Sequence, residues 1–121
     1  MSDLFDTNIL IDHLNGIKKA TKEIRAGGDP AISVITWIEV MTGAENKAQE
    51  AILRTFLTNF ECLPVTNAVA ARAAENRRAR RIKLPDAIIL ATAETAGRTL
   101  VTRNVKDFPV GTSGVRVPYQ I

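Results

Sequence analysis

The chain has 121 residues, 45% of them hydrophobic and 24% charged, which suits one compact domain spanning 1–121 and leaves little room for two. No run approaches the roughly 18 uninterrupted apolar residues of a membrane span, and the start Met-Ser-Asp-Leu-Phe-Asp lacks the pattern of a secretory leader. The reading is a cytoplasmic protein without a membrane partner. The net charge of +3 is unevenly placed: Lys/Arg and Asp/Glu number six and eight up to Phe60, then ten and five from Glu61, giving −2 and +5.

Leu4-Phe5 is a short apolar run that stops at Asp6-Thr7-Asn8, after which Ile9, Leu10, Leu14 and Ile17 recur at helical spacing. That reads as strand, turn, helix. His13 falls on this helix away from the turn, as a surface or core-edge residue, and Asp12 is expected to be exposed. A second amphipathic piece, Ile17 to Ala26, ends at Gly27-Gly28-Asp29-Pro30. Ala31-Ile32 is a minimal strand, and Ser33 caps a helix carrying Val34, Ile35, Ile38 and Met41 that closes near Gly43. Another helix runs from about Glu45 to Asn59, with Ala48, Ile52, Phe56 and Phe60 four apart.

Cys62-Leu63-Pro64-Val65 reads as a strand, with Cys62 a buried structural thiol; a single cysteine provides neither a disulfide nor a thiolate metal cage. Thr66 or Asn67 caps an Ala/Arg-rich helix reaching about Arg81. Arg72, Arg77, Arg78, Arg80, Arg81 and Lys83 are opposed there only by Glu75. Such a helix offers cations to phosphates, or is a solvated face with cations at the negative end of its dipole. With aromatics at 5%, a ring-lined platform for single strands is not expected. Pro85 opens a helix from Asp86 to Ala96, which Gly97 ends. Thr99-Leu100-Val101 is a strand, followed by a turn around Asn104 and a last strand at Val115-Arg116-Val117. Strands alternating with helices indicate the α/β class, a sandwich on a mainly parallel sheet.

In open parallel sheets ligands bind beyond the carboxyl ends of the strands. Asp6 follows the first strand, Glu39 lies on the helix after the second, Asp86 opens the helix before the Leu100 strand, and Asp107 follows that strand. Taken singly, Asp6 is explained as an N-cap, Asp86 as a first-turn acid and Asp107 as a turn residue. Glu39 stands inside the apolar run Val34-Ile35-Thr36-Trp37-Ile38-Glu39-Val40-Met41 and needs a partner. Two carboxylates about 5 Å apart repel by roughly 3 kcal/mol at an effective dielectric near 20. A divalent cation relieves that repulsion, and oxygen-only ligands favour Mg²⁺ or Mn²⁺ over zinc.

Four segments then carry a family resemblance: Phe5-Asp6-Thr7-Asn8-Ile9-Leu10-Ile11-Asp12, Ser33 to Gly43, Leu84-Pro85-Asp86-Ala87-Ile88-Ile89-Leu90-Ala91-Thr92-Ala93, and Leu100-Val101-Thr102-Arg103-Asn104-Val105-Lys106-Asp107-Phe108. In order, spacing and chain length the sequence resembles PIN-domain ribonucleases of the VapC toxin type. The resemblance implies a three-layer α/β/α sandwich and an endoribonuclease of a toxin–antitoxin pair, cutting RNA to 5′-phosphate and 3′-hydroxyl ends, often a structured RNA such as transfer RNA. It further implies that Asp6, Glu39, Asp86 and Asp107 hold one or two Mg²⁺ or Mn²⁺ ions, Asp6 and Asp86 directly and the other two through water. Thr7, Asn8, Thr102 and Asn104 are the implied supporting polar groups. A homodimer through the early helices and an antitoxin that blocks the acidic crevice are implied as well. Two alternatives stand beside this reading. One is an aspartyl-phosphate phosphotransferase with Asp6 as nucleophile, although Asp6-Thr7-Asn8 lacks the second acid of that class. The other is a nucleic-acid or protein-binding module whose acids serve only as caps.

Overall fold

The computed structural model describes residues 2–121. Five short strands, β1 (Asp3–Phe5), β2 (Ala31–Ser33), β3 (Glu61–Leu63), β4 (Thr99–Val101) and β5 (Val115–Arg116), form one sheet in the order β3-β2-β1-β4-β5. Every pairing is parallel. The chain winds outward from β1 to β3, then returns to place β4 on the other side of β1. The order therefore reverses between β1 and β4, and at such a point the loops leaving the two strands diverge and open a crevice.

Six helices cover the sheet: α1 (Thr7–Leu14), α2 (Lys18–Ala26), α3 (Val34–Thr42), α4 (Lys47–Leu57), α5 (Asn67–Arg80) and α6 (Leu84–Thr95). Alternation along the strands splits the core into two layers, as a pleated sheet requires. Leu4 and Leu100 pack with Val69 and Ala73 of α5, with Ala87, Leu90 and Ala91 of α6, and with Phe108. Phe5, Val101 and Ile32 face the other way, against Ile9 and Leu10 of α1, Val40 of α3, and Leu57 and Phe60 at the end of α4. The result is the expected three-layer α/β/α sandwich.

The helix ends follow from capping chemistry. Ser33 accepts from the Ile35 amide at 3.0 Å, Asn46 from Gln49 at 2.9 Å and Thr66 from Val69 at 3.2 Å. Gly97, at φ +67°, closes α6, with the Arg98 amide reaching back to the Ala93 carbonyl at 2.9 Å. That is the left-handed C-terminal turn which glycine adopts without strain.

Three expectations are corrected. Cys62 is exposed rather than buried, because β3 is an edge strand. In α4 the buried side is Leu53, Phe56 and Leu57, while Ala48 and Ile52 point outward. The spacing-of-four row is thus offset from the true core face. Asp12 is not exposed: it is 3% accessible, bonded by Arg103 and Tyr119. His13 is half-buried, stacked on Phe56 at 5.1 Å and bonded to Thr21 at 2.7 Å, on the core edge and away from the acids. Among the described residues no helix is long and apolar enough to cross a membrane.

Phe108 is fully buried in the α5–α6 layer. Phe108→Ala is expected to cost about 3–5 kcal/mol of stability, read as a lower midpoint in urea unfolding.

Candidate active site

Asp6 directly follows β1, where its amide donates to the Val101 carbonyl at 2.9 Å and so joins β1 to β4. Its carboxylate is only 4% accessible. The Thr7 amide donates to Oδ1 at 2.7 Å, and Thr102, leaving β4, donates its hydroxyl to Oδ2 at 2.8 Å. Thr102 in turn accepts from the Asn8 side chain and the Asn104 amide, each at 3.0 Å. One hydroxyl therefore locks together the two loops at the strand-order reversal. Burial pushes the Asp6 carboxyl above its ordinary range, against the bonds from Thr102 and Thr7, and the charges of Glu39 and Asp107 push in the same direction as burial.

Glu39 projects from α3, where it accepts the Thr7 hydroxyl at 2.6 Å. Thr7 has one proton to give, so the buried Thr36 hydroxyl, 2.9 Å away, is the donor to Thr7. Asp107 is held by the Asn104 side-chain amide at 2.9 Å, and its own amide donates to Asn104 Oδ1 at 3.3 Å. Asp86 sits in the first turn of α6, half-buried. Its carboxyl is pushed up to about 6, first by burial, then by the charges of Asp6, Asp107 and Glu39 and by a hydrogen bond shared with Asp107. The four sequence-predicted acids are thus electrostatic neighbours, as are Thr7, Asn8, Thr102 and Asn104, which hold three of them. Asp6, Glu39 and Asp86 line an open pocket of about 370 Å³ together with Thr7, Asn8 and Arg103.

The two edges of the sheet contrast. Where the strands begin, acids are matched by arginines: Arg98 pairs with Asp29 and Glu61, and Arg116 with Asp3 and Glu23. Among the described residues, none of Asp6, Glu39, Asp86 and Asp107 has an ion-pair partner within 4 Å. A larger hollow on α2, about 570 Å³, is lined by Lys18, Lys22 and Arg25 and holds no acid.

A PIN-domain family model matches residues 4–109. The chain belongs to the PIN-domain family. It is 34% identical over 115 residues to Ribonuclease VapC10 of Mycobacterium tuberculosis, a match covering 88% of this chain and 86% of that one. In fold it is similar to a chain of a toxin–antitoxin complex from Klebsiella pneumoniae, with a TM-score of 0.92, 46% identity and coverage of 98% and 99%. It is also similar to a chain of FitAcB from Neisseria gonorrhoeae, with a TM-score of 0.80, 25% identity and full coverage of both.

The donor set of this PIN domain fits a hard divalent cation: the acidic side chains present oxygen, with neither thiolate nor imidazole beside them. Among the described residues no three His, Cys, Asp or Glu side chains stand close enough to form a ready-made cage. An ion here would be completed by water, which suits Mg²⁺.

The basic residues of the PIN domain divide. Arg72 is paired, donating to both oxygens of Glu94 at 3.0 and 2.8 Å and to Glu75 at 3.0 Å. It clamps α5 to α6, a role the sequence did not suggest. Arg77, Arg78, Arg80, Arg81 and Lys83 are exposed and form no ion pair within 4 Å among the described residues. Arg81 and Lys83 lie just before the α6 turn that carries Asp86.

Sequence reasoning missed Thr36 and Arg103. Thr36 was detectable, because three residues before Glu39 places it on the same helix face. Arg103 neighbours Thr102 in the quoted motif, yet its partner Asp12 lies 91 positions away.

Asp86 holds its proton more tightly in the folded chain than at the ordinary value of 3.8, so ionising it removes stability as pH rises from about 4 through about 6. In metal-free buffer Asp86→Asn is expected to melt close to the parent at pH 4 and roughly 2–5 °C above it at pH 7, by differential scanning fluorimetry.

Proposed function

We propose that this PIN domain, acting as one unit over residues 1–121, is a Mg²⁺-dependent endoribonuclease, with Mn²⁺ able to substitute, and that it is the toxin of a cytoplasmic toxin–antitoxin pair. The observation that carries the reading is the set of four acids left unpaired at the strand-order reversal, with Asp86 pushed up to about 6 by burial and then by the charges of the other three. Identity to a ribonuclease and likeness to a toxin–antitoxin complex support the substrate class and the biological setting.

Asp6 and Asp86 are assigned as direct ligands, and Glu39 and Asp107 as ligands through water. When bound, the ion supplies an activated water and neutralises charge on the phosphodiester. The protein's own part is positional. Thr102 and the Thr7 amide fix both oxygens of Asp6, Thr7 orients Glu39, and Asn104 orients Asp107. Asp6, Glu39 and Asp107 are thereby held in place before substrate arrives, so little reorganisation of these three accompanies the reaction. In-line displacement of the 3′ oxygen gives 5′-phosphate and 3′-hydroxyl ends. A structured RNA such as transfer RNA is the assigned substrate, gripped by Arg77, Arg78, Arg80, Arg81 and Lys83 through its phosphates.

The assigned partners are a second copy of the chain, through the early helices, and an antitoxin that blocks the pocket. Exposed Ile11, Leu14 and Ile52 line a groove between α1 and α4 and leave apolar surface for such contacts.

Purified protein is expected to cleave RNA with Mg²⁺, to stop in EDTA and to recover on adding Mn²⁺. Cleavage that persists without metal would overturn the mechanism. Asp86→Asn should lower the rate at least 100-fold while keeping its fold by circular dichroism and its RNA affinity. Arg77→Gln with Arg78→Gln should weaken RNA binding alike for unrelated sequences, with a shallower salt dependence. Fluorescence anisotropy at several salt concentrations checks this.

A further inference from the structure

Arg103 is a basic residue in the wall of the acidic pocket. Its backbone is fixed there, because it follows Thr102 and donates its amide to Asn8 Oδ1 at 3.3 Å. Its side chain is fixed from the other side. Nε donates to Asp12 Oδ2 and Nη2 donates to Asp12 Oδ1 at 2.9 Å, so the carboxylate engages one edge of the guanidinium at two points. The Tyr119 hydroxyl donates to Asp12 Oδ2 at 2.9 Å. Burial would raise the Asp12 carboxyl, but the bonds from Arg103 and Tyr119 and the charge of Arg103 hold it below its ordinary range. Asp12 is therefore a buried anion whose charge is spent on one guanidinium.

That pairing leaves the other edge free. Nη1 has no hydrogen-bond acceptor among the described residues, and the side chain is 37% exposed. A buried ion pair kept for stability alone is poorly explained, since an apolar replacement commonly does as well. What this one achieves is to hold a rigid guanidinium at the wall of a pocket whose only other charged lining groups are the carboxylates of Asp6, Glu39 and Asp86, which would repel an incoming phosphodiester.

We propose that Arg103 binds the phosphodiester of the RNA substrate at the acidic pocket through its free guanidinium edge, and that Asp12 and Tyr119 are its positioning residues. The inference rests on the ribonuclease reading for its substrate. The guanidinium suits the task because its planar fork matches two phosphate oxygens, and one edge stays free when the other is held. It differs in kind from the cations of α5, which are exposed and unheld: they raise the local concentration of RNA, whereas Arg103 registers one phosphate against the acids.

The test compares Asp12→Asn with Asp12→Asn/Arg103→Gln, so that no variant keeps a buried, unpaired carboxylate; Arg103→Lys is a third variant. Two quantities are read: RNA cleavage with Mg²⁺, and binding of a single-stranded RNA oligonucleotide in EDTA across a salt series. Against the unmodified protein the double variant is expected to lose at least tenfold in kcat, and Asp12→Asn alone, which keeps the guanidinium but loosens its hold, to fall between the two. Loss of Arg103 should also make the slope of log K against log salt shallower by about 0.7, the value of one single-strand phosphate contact. Arg103→Lys should keep the slope, having kept the charge, and lose rate, having lost the two-point hold. A slope unchanged in the double variant, with its kcat within twofold of that of the unmodified protein, would overturn the proposal and leave Arg103 as a structural partner of Asp12. If the unmodified protein cleaves no RNA, the ribonuclease reading fails, and the salt slope alone still decides whether Arg103 meets phosphate.

Discussion

Repulsion between Asp86 and the charges of Asp6, Asp107 and Glu39 governs how the rest of the site is built. Left alone, such groups would turn toward solvent or draw an arginine over them, as the acids at the opposite edge of the sheet do. They are instead restrained by neutral donors: two threonine hydroxyls, an asparagine amide and a backbone amide. Neutral donors hold a carboxylate without cancelling its charge. The negative field of the pocket is thereby preserved, and burial together with that field raises the affinity of Asp6 and Asp86 for protons.

The fold makes this arrangement possible by its winding order. Parallel strands send successive loops to the same edge, and the reversal between β1 and β4 parts those loops into a crevice. Asp6 and Thr102 stand at the two lips of that crevice and are bonded across it. Glu39 and Asp86 come from helices that start at or near the same edge. Thr102, Asn104 and Asp107 come from the connection between β4 and β5, where hydrogen bonds rather than a regular element fix them. Among the described residues no buried side-chain nitrogen or oxygen lacks a hydrogen-bond partner, which is consistent with a polar site set rigidly into a core.

Much of this was legible in the sequence, for identifiable reasons. Apolar runs ending at Asp6 and at Val101, Ser33 as a cap, Pro85 and Gly97 as helix limits are local signals, and each element lies within a few residues of its expected place. The acids were legible because each adjoins such a limit. What the sequence hid is relational. The spacing of Ala48, Ile52 and Phe56 gives an apolar row, but which side of α4 meets the sheet depends on its docking, and Leu53 and Leu57 took the core. Cys62 lost its cover because β3 became an edge, a property of strand order rather than of the strand. Asp12 looked like a solvated helix residue, since nothing near it in sequence announces Arg103 or Tyr119. Arg72 looked free because Glu94 lies on another helix.

The bond between Thr102 and Asp6 spans 96 positions, and Tyr119 reaches Asp12 across 107. A ribosome making this chain releases the central strand first and the groups that steady its catalytic edge last. Any nascent fragment that stops before Thr102 lacks the hydroxyl that orients Asp6, along with Asp107 and both partners of Asp12. The site is therefore assembled only when an early and a much later part of the chain have met, and a partial chain carries Asp6 and Glu39 without the groups that hold and complete them.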